Sequence, residues 1–121
     1  MNRLSKLTKN HNLVMVEDTC EAHGAEFGGK KVGSFGDIGC FSFYGNKIIT
    51  TGEGGMIGFK KKRHKLKAEI LRDHGMSKKI KYWHDHVGFN FRITNLQSSI
   101  GCAQLERIQW FIKNKLSLAK N

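Results

Sequence analysis

Leu13-Val14-Met15-Val16-Glu17-Asp18 decides the fold class. Upstream of it, Leu4 and Leu7 recur at helical spacing, whereas from Leu13 the apolar residues run on for four positions and end in two carboxylates. This change of period reads as the end of a helix followed by a buried strand over 13–16. A continuous apolar strand next to a helix belongs to a mostly parallel sheet with flanking helices, and ligands of such α/β sheets bind beyond the carboxyl ends of the strands. Asp18 therefore stands where an α/β protein keeps its chemistry.

Working outward, the glycine-rich stretch 24–36 predicts a short hairpin or loop. Asp37 to Tyr44, with Ile38, Cys40, Phe41 and Phe43, predicts a second strand that stops at Gly45-Asn46-Lys47. Gly52-Glu53-Gly54-Gly55 reads as a tight turn, not a phosphate loop, because a strand (Met56-Ile57-Gly58-Phe59) and not a helix follows it. Lys61 to Arg72 predicts a helix with Leu66, Ile70 and Leu71 toward the core and Gly75 as its C-cap. Thr94-Asn95-Leu96-Gln97 has the form of a capping box. The helix it opens runs through Leu96, Ile100, Ala103, Leu105 and Ile108, and its apolar face continues through Trp110, Phe111, Ile112, Leu116 and Leu118. Neither terminal helix carries a capping signal, which we read as a piece of a longer sequence.

A chain of 121 residues holds one modest core or part of a larger domain. With 39% hydrophobic and 26% charged residues, no proline and 14 glycines, it is neither disordered nor collagen-like nor of low complexity. No apolar run reaches the ~18 residues of a membrane span and the start lacks a signal peptide, so a cytoplasmic protein with no membrane partner is expected. Cys20, Cys40 and Cys102 are odd in number and widely spaced, which fits neither a disulfide framework nor a zinc site. The net charge of +11 lies wholly in the second half: residues 1–59 carry six basic and six acidic side chains, residues 60–121 fifteen and four. The densest stretch, Lys60-Lys61-Lys62-Arg63-His64-Lys65-Leu66-Lys67, would suit phosphates of a nucleic acid. Lacking interleaved aromatics, it reads better as a solvated helix face.

Three residues suggest chemistry: Asp18 at a strand end, Ser42 near the end of the next strand, and Lys47 on a Gly/Asn turn. A lysine at a strand-to-loop transition loses its proton more readily when partly desolvated, and then acts as an amine nucleophile. Pyridoxal phosphate requires such a lysine for its Schiff base, a carboxylate at its ring nitrogen and donors for its phosphate. On spacing alone, ordinary surface roles for the lysine and the serine stay open.

The consecutive motifs Val16-Glu17-Asp18-Thr19-Cys20-Glu21-Ala22-His23-Gly24-Ala25, Gly33-Ser34-Phe35-Gly36-Asp37, Phe41-Ser42-Phe43-Tyr44-Gly45-Asn46-Lys47 and Thr51-Gly52-Glu53-Gly54-Gly55-Met56 resemble the nucleotide-sugar aminotransferases of DegT/DnrJ/StrS type. The series continues with Leu71-Arg72-Asp73-His74-Gly75 and Gly88-Phe89-Asn90-Phe91-Arg92-Ile93-Thr94-Asn95-Leu96-Gln97, so the resemblance covers roughly residues 12–112. It implies part of the large domain of a fold-type I, aspartate aminotransferase-like transferase that uses pyridoxal 5'-phosphate. On this reading residues 1–121 are a partial cofactor-binding domain lacking its upstream part and the C-terminal small domain. The resemblance implies that Lys47 is catalytic and bonds the cofactor, that Asp18 pairs with the ring nitrogen, that Glu21 approaches the 3-hydroxyl side and that Ser42 donates to the phosphate. It implies that Asn90 reaches the phosphate from a neighbouring subunit, hence a homodimer. The substrates implied are glutamate and a nucleotide-linked 4-keto-6-deoxy sugar, with His74 and Tyr82 as candidate substrate contacts.

Other readings stand beside these. His23 and His74 also suit turn-stabilising roles, and Tyr82 and Trp83 packing roles. His84 and His86 have too few companion ligands for a metal site, so no metal is expected. The alternative function is a truncated, non-catalytic remnant whose basic half binds polyanions or another subunit. A sheet without its neighbouring strands would expose edges and apolar faces, which favours association.

Overall fold

The computed structural model describes residues 1–120. Helix α1 (Asn2–Asn10) leads through a left-handed Asn12 (φ 52°) to strand β1 (Val16–Asp18). A two-strand hairpin, β2 (Glu26–Phe27) and β3 (Lys30–Lys31), follows. Gly28 and Gly29 between them take φ of 58° and 73°, which a two-residue turn of this hand demands. Strands β4 (Ile38–Ser42) and β5 (Gly55–Phe59) complete the main sheet, and helices α2 (Lys62–Arg72), α3 (Asn95–Leu105) and α4 (Ile108–Leu118) follow.

The sheet order is β1-β4-β5. β1 runs parallel to β4, with Asp18 beside Cys40, but β4 and β5 are antiparallel, from Ile38 opposite Phe59 to Ser42 opposite Gly55. The expected mostly parallel sheet is thus a mixed one. The cause is the connection: residues 43–54 contain no helix to carry the chain back across the sheet, so β5 returns beside β4 in the opposite direction.

The first strand also begins later than the apolar run. Asp37 Oδ2 accepts the Met15 N–H at 3.1 Å and the Met15 carbonyl accepts the N–H of Asp37 at 2.8 Å, so pairing starts only here. Leu13 and Val14 lie outside the strand and are exposed. From Val16 the side chains alternate. Glu17 turns inward and is buried, while Asp18 stays exposed. Glu17 ties the following loop to the sheet: its Oε2 accepts the Gly33 N–H at 2.9 Å and its Oε1 the buried Gly36 N–H at 2.6 Å. The loop lies so close that a Cβ on Gly39 would fall on the Gly33 carbonyl oxygen.

The capping box at Thr94 forms as read: the Thr94 hydroxyl accepts the Gln97 N–H at 3.2 Å and Gln97 Oε1 accepts the Thr94 N–H at 3.0 Å. The helix it opens does not run on to Ile108. It ends at Leu105, and α4 restarts after Arg107 (φ −106°, ψ 11°). At the end of α2 the left-handed residue next to the cap is His74 (φ 60°). Gly75 (φ 68°) follows and donates its N–H to the Ile70 carbonyl at 2.9 Å.

Among the described residues Ile49 is the one buried apolar side chain. The chain exposes 9346 Å². A folded monomer of this mass exposes about 6,600 Å². Leu13, Val16, Ile57, Phe91 and Trp110 are among the large apolar residues left more than half exposed. No helix of the described residues is long and apolar enough to cross a membrane.

Candidate active site

Parallel pairing brings the carboxyl ends of β1 and β4 to one edge of the sheet, and the last residue of each carries a candidate side chain: Asp18 and Ser42. Because Asp18 is level with Cys40, Ser42 lies two residues further along the same face, about 7 Å beyond it. Its hydroxyl accepts the Tyr44 N–H at 3.2 Å. The chain then turns sharply, the Lys47 N–H donating to the Tyr44 carbonyl at 3.1 Å, and returns to where it left. The Phe43 carbonyl accepts both the Thr50 hydroxyl and the Thr51 N–H, each at 2.9 Å. Lys47 is therefore carried on a small loop closed at its base on a single carbonyl.

The loop aims the Lys47 amine back over β1. Its side chain is only 11% exposed and its Nζ forms an ion pair with Glu21, whose own side chain is 77% exposed. Asp18 shares this environment. The Cys20 thiol and the Cys20 N–H (3.1 Å to Oδ1), and to a smaller degree the Lys47 charge, hold its carboxyl below the ordinary carboxylate range. Asp18 thus remains an anion. The Cys20 thiol is pushed up in turn, chiefly by Asp18.

Beneath these groups His23 is 6% exposed and packs between Phe41 and Phe43, with ring centroids at 5.9 and 6.0 Å. Neither ring nitrogen has a hydrogen-bond partner. Burial first, and the Lys47 charge second, push the ring below its ordinary value of 6.5. His23 is consequently a neutral wedge packed between two aromatic rings, and not the turn-stabilising residue the sequence suggested.

Asp18, Glu21 and Lys47 thus come together, with Ser42 on the same edge. The remaining candidates lie apart: among the described residues no hydrogen bond or ion pair joins Asn90, His74 or Tyr82 to them. Asn90 forms an antiparallel bridge with Asp73. His74 Nδ1 lies 3.2 Å from Asp73 Oδ1, which also takes Arg92 Nε at 3.3 Å. Tyr82 is 74% exposed, with the Lys81 ammonium 5.0 Å from its ring centre. Asn90 instead lines an open, mainly apolar trough of about 920 Å³ between β5, α2 and residues 89–93, which none of Asp18, Ser42 and Lys47 borders. The basic run is partly engaged: Lys60 donates to the Phe35 carbonyl, Lys61 pairs with Asp37 at 3.4 Å and Lys65 with Glu69 at 3.6 Å. Part of the run is thus tied to neighbouring acceptors, while Lys61 and Lys65 stay more than half exposed.

Sequence reading missed Gln104, whose carboxamide takes both backbone groups of Thr50. The available signal was a glutamine seven residues after Gln97, on the same stripe of the helix.

The family profile described as the DegT/DnrJ/EryC1/StrS aminotransferase family matches residues 1–121, the whole chain. The chain belongs to this family. GDP-perosamine synthase of Caulobacter vibrioides is 51% identical over 108 residues, which are 89% of this chain and 29% of that protein. Helicobacter pylori PseC, an aminotransferase involved in the biosynthesis of pseudoaminic acid, superposes with a TM-score of 0.81 at 37% identity over 88% of this chain and 29% of its own. An E. coli GDP-4-keto-6-deoxy-D-mannose-3-dehydratase with bound hydrated PLP gives 0.88 at 25% identity over 98% and 35%. The chain thus spans about a third of the length of the relatives it matches, and its mixed-sheet α/β fold is a part of theirs.

Proposed function

We propose that the chain is the lysine-bearing part of a pyridoxal phosphate-dependent aminotransferase that aminates a nucleotide-linked 4-keto-6-deoxy sugar. The observation that carries this reading is the nearly buried Lys47 amine facing Glu21 and the ionised Asp18 at the carboxyl ends of two parallel strands. The donor set fits the cofactor: a shielded amine, a permanent carboxylate, and a hydroxyl one turn away. When bound, pyridoxal phosphate supplies an electron sink for bonds broken at the amino-bearing carbon.

Lys47 is the residue that attaches the cofactor and, when released, moves a proton at its Nζ. Asp18 holds the ring nitrogen protonated, and its resistance to protonation makes it a lasting counter-charge. Glu21 orients the amine and approaches the 3-hydroxyl side. Ser42 donates to the phosphate. Asn90 lies apart from this cluster within one chain, which suits a contribution to the phosphate of a second copy in a homodimer. The identity shared with GDP-perosamine synthase supports a GDP-linked sugar in perosamine-type polysaccharide precursor synthesis, with glutamate as amino donor.

The test is optical. Addition of pyridoxal phosphate to the purified chain is expected to give a visible absorbance band that is absent in Lys47→Ala and blue-shifted or weakened in Asp18→Ala. A band of equal strength in Lys47→Ala would assign the binding to other lysines and remove this reading.

A further inference from the structure

We propose that Gln104 is a positioning residue for Lys47, acting through Thr50 across 54 residues of sequence. The proposal rests on the reading of Lys47 as the cofactor-bonding amine. It starts from the loop that carries the lysine. The loop is closed at the Phe43 carbonyl by the Thr50 hydroxyl and the Thr51 N–H. Closure alone leaves the N–H and the carbonyl of Thr50 pointing outward, and both need partners where water is partly excluded. Gln104 supplies both: its Oε1 accepts the Thr50 N–H at 3.0 Å and its Nε2 donates to the Thr50 carbonyl at 2.5 Å. A carboxamide offers an acceptor and a donor side by side whatever the pH, as a neighbouring strand would.

The helix is registered on the loop at two further points. Gln97 Nε2 donates to the Glu53 carbonyl at 3.2 Å, and Gly101 packs on Thr51, whose Cγ2 would stand 3.0 Å from an added Cβ. Positions 97, 101 and 104 form one stripe of α3 and meet Glu53, Thr51 and Thr50 in reverse order. Thr50 follows Lys47 by three residues, and between them lies Ile49, the buried apolar residue. The bidentate amide thus fixes the backbone from which the lysine reaches the edge of the sheet. Gln104 touches no reacting atom, so its effect is on where Lys47 stands.

The experiment treats the full chain with pyridoxal phosphate, reduces it with borohydride and maps the labelled peptides, scoring Lys47 against Lys60, Lys61 and Lys62. Backbone exchange of the Thr50 amide is followed in parallel. In Gln104→Leu the Thr50 amide is expected to exchange at least tenfold faster, and the Lys47 share of label to fall at least tenfold. Gln104→Glu keeps the acceptor and loses the donor, so it falls between. Ser99→Ala, on the same helix but exposed and bonded only to the Leu96 carbonyl of its own helix, is expected within twofold of the parent. General loosening moves all lysines together; only a displaced Lys47 changes the ratio. If Gln104→Leu loses its helical circular dichroism, Gln104→Glu decides. An unchanged Lys47 share in folded Gln104 variants overturns the positioning role while leaving the cofactor reading intact. A parent chain with no preference for Lys47 overturns both.

Discussion

Replacing Glu17 by alanine tests the link between the first strand and the glycine loop. The carboxylate holds two backbone donors, the buried Gly36 N–H at 2.6 Å and the half-buried Gly33 N–H at 2.9 Å. Losing an acceptor leaves a buried donor unsatisfied at about 1–3 kcal/mol, so we assign about 2 kcal/mol to Gly36 and about 1 kcal/mol to Gly33. Removing a desolvated carboxylate that has no ion-pair partner among the described residues gives part of this back, for a net loss of about 2–3 kcal/mol. For a chain of this length each kcal/mol moves the melting temperature by about 4 °C, so Glu17→Ala should melt about 10 °C lower. Glu17→Gln keeps one acceptor and sets an amide donor against the second N–H, which predicts an intermediate loss. Thermal unfolding and urea titration followed by circular dichroism measure both. A shift below about 3 °C for alanine, or equal losses for glutamine and alanine, would refute the accounting.

Two further outcomes are expected. Thr94→Ala removes the hydroxyl half of the capping box and should cost about 1 kcal/mol in urea unfolding, while Thr94→Ser retains the parental midpoint. His23 titrates below its ordinary 6.5 in the folded chain, so protons bind the unfolded state first; the stability held above pH 6.5 is lost as pH falls through the lower folded value. His23→Phe, which keeps an aromatic between Phe41 and Phe43, should flatten stability between pH 7 and 5, and an unchanged slope in that variant would assign the dependence to another group.

The parts of the fold that were legible are those fixed by neighbours in sequence. Thr94 and Gln97 satisfy each other's helix end three residues apart, so the capping box read directly, and the glycines of residues 24–36 marked a hairpin or loop without fixing which. Strand direction was not legible, because whether β5 returns beside β4 depends on what fills residues 43–54 and not on the strand residues. The apolar run at 13–16 misled for a similar reason: Leu13 and Val14 suit a strand, but β1 finds a partner only from Met15, where Asp37 meets it. The break at Glu106-Arg107 carried no glycine or proline to announce it. At the site, motif resemblance singled out Asp18, Glu21 and Lys47, which the fold brings together. It did not single out Gln104, since an amide pairing with a backbone 54 residues away leaves no local pattern.

That separation also sets an order of events during synthesis. At about 5–20 residues per second, Thr50 leaves the ribosome roughly 3–10 s before Gln104 does. Throughout that interval the nascent loop has its own closure but no outside brace. The loop that carries Lys47 is therefore among the last features of this region to be braced, its support arriving only with the late helix.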